Sequence, residues 1–193
     1  MKPWQHFLTI THHRHLVCRG CFRVGLYWQG LTHDLSKYSP TEFRNGARFY
    51  QGVRSPNAAE RESKGYSEAW MHHKGRNRHH WEYWTDMSRE TLRYESVPMP
   101  RKYLAEMVMD RIAACKTYQK EAYRDDSALR YFEKSREREL MHPETQHQLQ
   151  YLLTLLAEKG EEETFRYIKT QVLTGKPFPW EENANSPTAG KEL

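Results

Sequence analysis

Apolar side chains recur along this chain at the three- and four-residue spacing of α-helices, and no stretch alternates apolar and polar residues convincingly as a strand does. The first such run covers residues 3–23, and one stripe of it is predicted to face the core. The stripe consists of Trp4, Leu8, Thr11, His15, Cys18 and Phe22. The pattern therefore predicts an all-α protein that begins with a long helix.

Further helices are predicted from the same spacing together with helix-start signals such as Ser39-Pro40. They cover a segment from Gly30 to Lys37, residues 40–50, the second part of a loop at 51–65, residues 100–123, a segment from Asp125 or Asp126 to about Leu140, a segment from Pro143 to a break at Gly160, and a last stretch containing Phe165, Ile168 and Val172. We expect a helical bundle of seven or eight helices in one domain over residues 1–174. Residues 175–193, rich in Pro, Asn and Gly, are predicted to form a loose tail.

The composition narrows the class of protein. Aromatic residues make up 13% of the 193 residues, too many for a disordered chain even though the mean hydropathy is −0.99. No apolar run approaches the ~20 residues that a bilayer requires, so no membrane partner is expected. The chain shows no secretory signal, and its three cysteines do not make a disulfide framework, which favours a cytoplasmic protein. A net charge of +5 suits an anionic partner, either a small molecule or nucleic acid.

Nine of the 11 histidines lie before residue 81, and histidine is the commonest metal ligand. His33-Asp34 pairs an imidazole with a carboxylate. Neighbouring residues on a helix diverge by ~100°, so this pair can share an ion only from a helix end or with the ion wedged between them. Asp110, on the flank of a predicted apolar stripe, needs a cation there. With His15 from the first helix, or His12 in its place, these residues form a candidate ligand set. The alternative is that Asp34 caps a helix and the histidines are hydrogen-bonded filler.

A second cluster runs from His72 to Trp84 and contains four histidines in nine residues. Gly75 is predicted to interrupt the helix within it. His73, His79 and His80 form a candidate second ion site that Asp34 bridges to the first. The alternatives are a structural zinc site, and histidines that stack against tryptophans of the same segment and form hydrogen bonds with Glu82, Glu42 or backbone carbonyls.

The order of these residues resembles the HD-domain superfamily of metal-dependent phosphohydrolases, which place a histidine, a His-Asp pair and a late aspartate on a helical bundle. The segment His33-Asp34-Leu35-Ser36-Lys37 is similar to a His-Asp-x-x-Lys form of that superfamily. The resemblance implies an HD-domain-like fold, in which Lys37 faces substrate phosphate. Residues 10–150 also resemble a bacterial and phage family of unknown function, through the segment from His33 to Pro40 and the histidine-rich segment before Trp84. That second resemblance implies a shared site but no known reaction.

We therefore expect a metal-dependent phosphohydrolase acting on a nucleotide or other small phosphorylated molecule, with one or two divalent ions of Mn, Fe, Zn or Ni. The expected metal ligands are His15, His33, Asp34, His73, His79, His80 and Asp110. Asp34 and Lys37 are the expected catalytic residues, and Lys37, Arg76 and Asn77 are expected to orient phosphate. Two alternatives remain open: an HD-like di-iron oxygenase, and a non-catalytic nucleic-acid-binding module that stacks bases on Trp81, Tyr83 and Trp84 between arginines.

Overall fold

A computed structural model describes residues 1–135 and 140–184, and over these residues the chain folds into nine α-helices and one short β-hairpin. The helices are α1 (Pro3–Val24), α2 (Tyr27–Thr32), α3 (Pro40–Phe49), α4 (Pro56–Lys64), α5 (Glu68–Lys74), α6 (Arg101–Gln119), α7 (Ser127–Lys134), α8 (Pro143–Tyr167) and α9 (Pro179–Ala184). Strands β1 (Thr85–Met87) and β2 (Tyr94–Ser96) pair antiparallel. The all-α prediction is confirmed.

Helix α6 lies at the centre of the fold and packs against both α1 and α8. Fully buried side chains from all three helices meet there, among them Val17, Val108 and Leu152. Burying each such side chain stabilises the fold by about 1.5–3 kcal/mol. This packing holds the inner sides of α1 and α6 against each other, and both helices carry residues of the candidate site.

The predicted inner face of α1 is wrong. Trp4, Leu8 and Phe22 are exposed, by 66%, 50% and 41%. The buried stripe lies on the opposite side of the helix and consists of His6, Ile10, His13, Val17, Gly20, Cys21 and Val24. Both stripes follow the spacing of a helix face, so spacing alone could not choose between them. The inner stripe includes two histidines, which hydropathy counts as surface residues.

The helix predicted from Gly30 to Lys37 is interrupted at the His-Asp pair. Helix α2 ends at Thr32, and a 3₁₀ turn runs from Leu35 to Tyr38. Between them His33 is extended, and Asp34 adopts a left-handed conformation with φ 53°. Asp is among the few residues that tolerate this conformation. The break turns both side chains toward the interior from a helix end. This is one of the two arrangements in which neighbouring residues can share an ion.

The tail predicted to begin at 175 is packed as far as residue 181. Phe178 is 1% exposed, and Trp180 stacks on His147 of α8 at 3.8 Å between ring centroids. Gly160 has non-helical dihedral angles and kinks α8, as predicted. Residues 136–139 of a predicted helix and residues 185–193 of the predicted tail lie outside the described residues. Within the described part of the chain, no helix combines the length and the apolar character needed to cross a membrane.

Candidate metal centre

Four side chains from three segments form the first ligand group: His13 of α1, the adjacent pair His33 and Asp34, and Asp110 of α6. The Nε2 atom of His13 lies 2.9 Å from Oδ1 of Asp110 and 3.8 Å from Oδ2 of Asp34. The Nε2 atom of His33 lies 3.3 Å from the same Asp34 oxygen and 3.6 Å from Asp110. Two imidazoles and two carboxylates therefore converge on one point.

The second group lies beside the first and consists of Asp34, His73, His79 and His80. The Nε2 atoms of His73 and His79 lie 3.2 Å and 3.4 Å from Oδ1 of Asp34. The ring of His80 contacts both, with centroids 4.7 Å from that of His73 and 4.1 Å from that of His79. The histidine-rich segment thus folds back onto the His-Asp pair because α5 ends at Gly75.

Asp34 belongs to both groups, and each of its oxygens faces one of them. Oδ2 faces His13 and His33, and Oδ1 faces His73 and His79. The side chain of Asp34 is 1% exposed. This is the geometry of a carboxylate that can bridge two neighbouring ions.

Several atoms that point into the two groups are buried and have no hydrogen-bond partner in the described structure. They are Nε2 of His13, His33, His79 and His80, and Oδ1 of Asp34, whereas Oδ2 of Asp34 forms an ion pair with Lys37. Buried polar atoms are almost always paired, and an unpaired one costs free energy. The Nε2 atoms face carboxylate oxygens at short range without hydrogen-bond alignment. A divalent cation satisfies both atom types at once, so the donor set fits a transition-metal ion.

Two buried glutamates contact the histidine rings at Nδ1 and so leave Nε2 directed toward the two ligand groups. Glu106 Oε1 lies 2.9 Å from Nδ1 of His33 and 3.1 Å from Nδ1 of His79. Glu42 accepts hydrogen bonds from Nδ1 of His72 and His73, both at 2.7 Å. A carboxylate at Nδ1 fixes the proton on that nitrogen and leaves Nε2 free for a metal. The hydrogen bond from His73 to Glu42 is one that the sequence-based alternative anticipated. Glu106 was not anticipated, because it lies in an unremarkable helical stretch, far in sequence from both histidines that it contacts.

A family model described as a family of unknown function, DUF5662, matches residues 2–155. The chain belongs to this family. No curated protein and no solved structure matches it. Every residue of the two ligand groups lies within the DUF5662 match, and the predicted membership of a family of unknown function is confirmed. Nothing in the comparisons supports the resemblance to the HD-domain superfamily, which stays a prediction from motifs.

The first histidine of the site is a correction to the sequence prediction. His15 and its alternative His12 are exposed and belong to neither ligand group of this DUF5662 chain, and His13 occupies the position instead. The error follows from the wrong face of α1, because His13 lies on the stripe that is buried. The other six predicted ligands are brought together as expected: His33, Asp34, His73, His79, His80 and Asp110.

The predicted phosphate-binding residues have different surroundings. The Nζ atom of Lys37 lies 2.7 Å from Oδ2 of Asp34, at the edge of the ligand groups. The side chain of Asn77 donates to Ser36 and to the carbonyl of His73, so it supports the second group. Arg76 is exposed and donates to the carbonyl of His72, and it is not part of the cavity wall described next.

A cavity of about 840 Å³ opens beside the ligand groups of the DUF5662 fold. His13, His73, His80 and Asp110 form part of its wall. The wall also carries four cationic side chains and four aromatic ones. These are Lys37, Arg54, Arg61 and Arg111, and Trp70, Trp81, Tyr118 and Tyr131. The three arginines were not among the residues predicted to orient phosphate, because they lie on three segments that only the fold brings together.

The charges within the site are strongly coupled. Burial opposes protonation of His33, but Asp34 and Asp110 outweigh it and raise its pKa well above the usual value. Burial likewise opposes ionisation of Asp34, but His33, Lys37 and His73 hold its pKa well below the usual range. Burial, reinforced by His79 and His73, lowers the pKa of His80 well below its usual value. His80 is therefore neutral near pH 7 and offers a lone pair.

Proposed function

We propose that this protein is a divalent-metal-dependent phosphohydrolase that acts on a nucleotide or another small phosphorylated molecule. The observation that carries the proposal is the convergence of buried histidine Nε2 atoms, which lack hydrogen-bond partners, on the buried carboxylate of Asp34. His13, His33, Asp34 and Asp110 would hold one ion. Asp34, His73, His79 and His80 would hold a second.

A divalent ion bound there supplies Lewis-acid activation of phosphoryl groups and of water. The protein side chains contribute the positioning. Glu106 and Glu42 orient the imidazoles, as described above. Lys37 stands at the boundary between the ligand groups and the cavity, where its ammonium group can shift from Asp34 toward an anion. Its pKa is raised: burial opposes protonation, but Asp34 and Asp110 outweigh it, so Lys37 remains charged at neutral pH.

The cavity supports a phosphorylated substrate of moderate size. About 840 Å³ lies within the usual ~300–1,000 Å³ range of small-molecule sites. Arg61 in its wall carries a planar guanidinium group, which suits phosphate oxygens, whereas the guanidinium of Arg54 pairs with Glu62. The guanidinium of Arg61 lies over the ring of Trp70, with 5.5 Å to its centroid, which places a charged group and an aromatic surface side by side. This combination suits a phosphate attached to a planar base.

The first test is metal content, measured by elemental analysis on protein purified without a histidine tag. We expect bound Mn, Fe, Zn or Ni in the wild type, a loss of most of it in His13→Ala, and no loss in the matched variant His15→Ala. Asp34→Asn should also lose metal, since Asn tolerates the left-handed backbone at φ 53° while it removes the charge. Equal metal content in His13→Ala and His15→Ala would contradict the first ligand group.

The second ion is tested by the double variant His79→Gln with His80→Gln. Glutamine retains size and hydrogen bonding but is a poor metal ligand. Occupancy should approach two ions per chain in the wild type in excess metal and fall to one in the variant. An unchanged stoichiometry would leave a one-ion site and a structural role for the second cluster.

The reaction itself is tested by phosphate release from a panel of nucleotides and small phosphate esters, with each metal in turn. Lys37→Ala should slow hydrolysis at least about 10²-fold while metal content is retained. A metal-loaded protein that releases no phosphate but consumes dioxygen when it holds iron would contradict hydrolysis and support the oxygenase alternative.

A further inference from the structure

The outer side of α1 and the adjoining α2 form an apolar face that other described parts of the chain leave uncovered. Because α1 and α2 form a helical hairpin, we call this surface the hairpin face. Its members are the exposed side chains of Trp4, Phe7, Leu8, Phe22, Tyr27, Trp28, Leu31 and Leu35. Trp28 is the most exposed of them at 74%. These are large residues of the kind that proteins bury, and none of them takes part in the metal centre.

The two helices that carry the hairpin face pack against each other. Helix α2 runs antiparallel along α1, because Gly30 lies against Cys21 and Phe22, and Arg14 donates to the carbonyls of Leu31 and His33. Side-chain contacts join α1 to the start of α2 and to the 3₁₀ turn that follows it. Phe22 meets Tyr27 edge-on at 5.2 Å between centroids, and Phe7 meets Tyr38 at 5.9 Å.

The area of the hairpin face matches one half of a stable protein interface. Its five aromatic side chains expose on the order of 500 Å², taking ~150–250 Å² for each complete side chain. Its three leucines, each about half exposed, enlarge the face further. The largest apolar patch on a typical monomer is ~300–600 Å², and each partner in a standard interface contributes ~800 Å².

The spacing along α1 favours another helix as the occupant. Trp4, Leu8, Thr11 and His15 follow intervals of four, three and four residues, which is the spacing into which side chains of a facing helix insert. His15 carries ring nitrogens that a facing helix can hydrogen-bond and a lipid core cannot, whereas the Thr11 hydroxyl is bonded to that of Tyr38 within the chain. Arg14 and Arg23 do not obstruct such packing, since Arg14 donates to carbonyls and Arg23 pairs with Glu161 and Glu162.

We infer that two copies of this chain associate through their hairpin faces, with α1 and α2 of one copy packed on those of the other. A twofold arrangement satisfies both faces with one contact, and it is the commonest symmetry among soluble oligomers. The outer stripe of α1, which looked like a core stripe in the sequence, is then buried between two chains.

Sedimentation equilibrium of the full chain tests this inference across a wide range of concentration. The wild type should have twice the 23.2 kDa mass of one chain. Trp28→Glu and Leu31→Glu should each raise the Kd of the dimer at least about 30-fold, as expected of residues central to an interface. Tyr94→Glu, at an equally exposed site on β2, should leave the Kd unchanged. Circular dichroism and metal content should be unchanged in all three variants.

A wild-type chain that remains at the monomer mass throughout would overturn the inference, and so would a dimer that neither Trp28→Glu nor Leu31→Glu weakens. Vesicles containing anionic lipid provide a further arm. A monomer that cosediments with them would show that the hairpin face meets a membrane surface instead of a second copy.

Discussion

Glu106 uses one carboxylate to hold two histidines, and this decides which nitrogen of each ring is left for an ion. Oε1 of its carboxylate accepts from Nδ1 of His33 and from Nδ1 of His79, although these two histidines are far apart in sequence. Burial opposes ionisation of Glu106, but the two histidines outweigh it and keep its pKa below the usual value. The buried charge is therefore stable only because both rings donate to it.

Glu106→Gln should weaken metal binding by about 10–100-fold while the fold is retained. A glutamine oxygen can take the place of Oε1, which both Nδ1 atoms contact, but it is neutral and accepts hydrogen bonds less strongly than a carboxylate oxygen. Metal titration followed by calorimetry measures the change. Glu121→Gln, an exposed position just beyond the same helix, is the matched control and should bind metal like the wild type. Equal metal affinity in the two variants would show that the histidines bind metal equally well without a carboxylate at Nδ1.

His6 gives the protein a pH-dependent stability that is separate from the ligand groups. Burial and the charge of Lys37 lower the pKa of His6 to about 4, whereas an unfolded histidine titrates near 6.5. Between pH 6.5 and 4 the unfolded chain takes up a proton that the folded chain does not. The stability present above pH 6.5 is therefore lost as the pH falls toward 4.

In His6→Gln, the drop in the free energy of unfolding between pH 7 and pH 4 should be smaller than in the wild type by about 2 kcal/mol. Urea denaturation at the two pH values measures it. His12→Gln removes an exposed histidine from the same helix and should leave the drop unchanged. A wild-type drop in His6→Gln would refute the assignment.

At the scale of elements, α3 approaches α1 so closely that one position has no space for a side chain. A Cβ atom on Gly46 would lie 2.2 Å from Nε2 of His6. The His6 ring is held there by neighbouring aromatic rings, with centroids of Phe43 at 5.3 Å and Tyr50 at 6.0 Å. Gly46 thus sets the distance between two helices that both line the cavity.

Gly46→Ala should lower the free energy of unfolding by about 1–3 kcal/mol, because the added methyl group forces α3 and α1 apart. Gly75→Ala is the control, since Gly75 has helical dihedral angles and a Cβ there comes no closer than 3.5 Å to its neighbour. Its stability should equal or slightly exceed that of the wild type. Chemical denaturation of both variants decides the point.

The helices themselves could be predicted from the sequence, because their periodicity, prolines and glycines are local signals. The face that α1 buries could not be predicted, because α1 carries two stripes with helical spacing. One stripe packs in the core and the other is exposed. His13 was missed for the same reason. Glu106 could not be found either, because a buried carboxylate looks like any surface glutamate until its partners are known.

At the scale of the whole molecule, the segment after Gly175 closes the bundle instead of trailing from it. Phe178 inserts beside Tyr151 and Tyr167, and Trp180 covers Tyr151. The Pro, Asn and Gly content of this segment predicted a loose tail. That prediction gave no weight to the two aromatic residues, Phe178 and Trp180, whose packing holds the segment on the bundle.

Phe178→Ala should lower the free energy of unfolding by about 3–5 kcal/mol, the usual cost of removing a fully buried aromatic ring. Thermal unfolding monitored by circular dichroism measures the effect. Tyr94→Ala removes a ring that is 76% exposed and should shift the midpoint little. Similar midpoints in the two variants would mean that the C-terminal segment adds nothing to the fold.

The residues that converge on Asp34 come from α1, from the break after α2, from α5 and the segment that follows it, and from α6, so long stretches of chain separate them. An ion held by this set would act as a removable cross-link that ties four distant segments together. It could bind only after those segments have met, late in folding, and would have to leave before they part. Metal loading should therefore prolong the lifetime of the native state more than it accelerates refolding, and a chelator should shorten that lifetime.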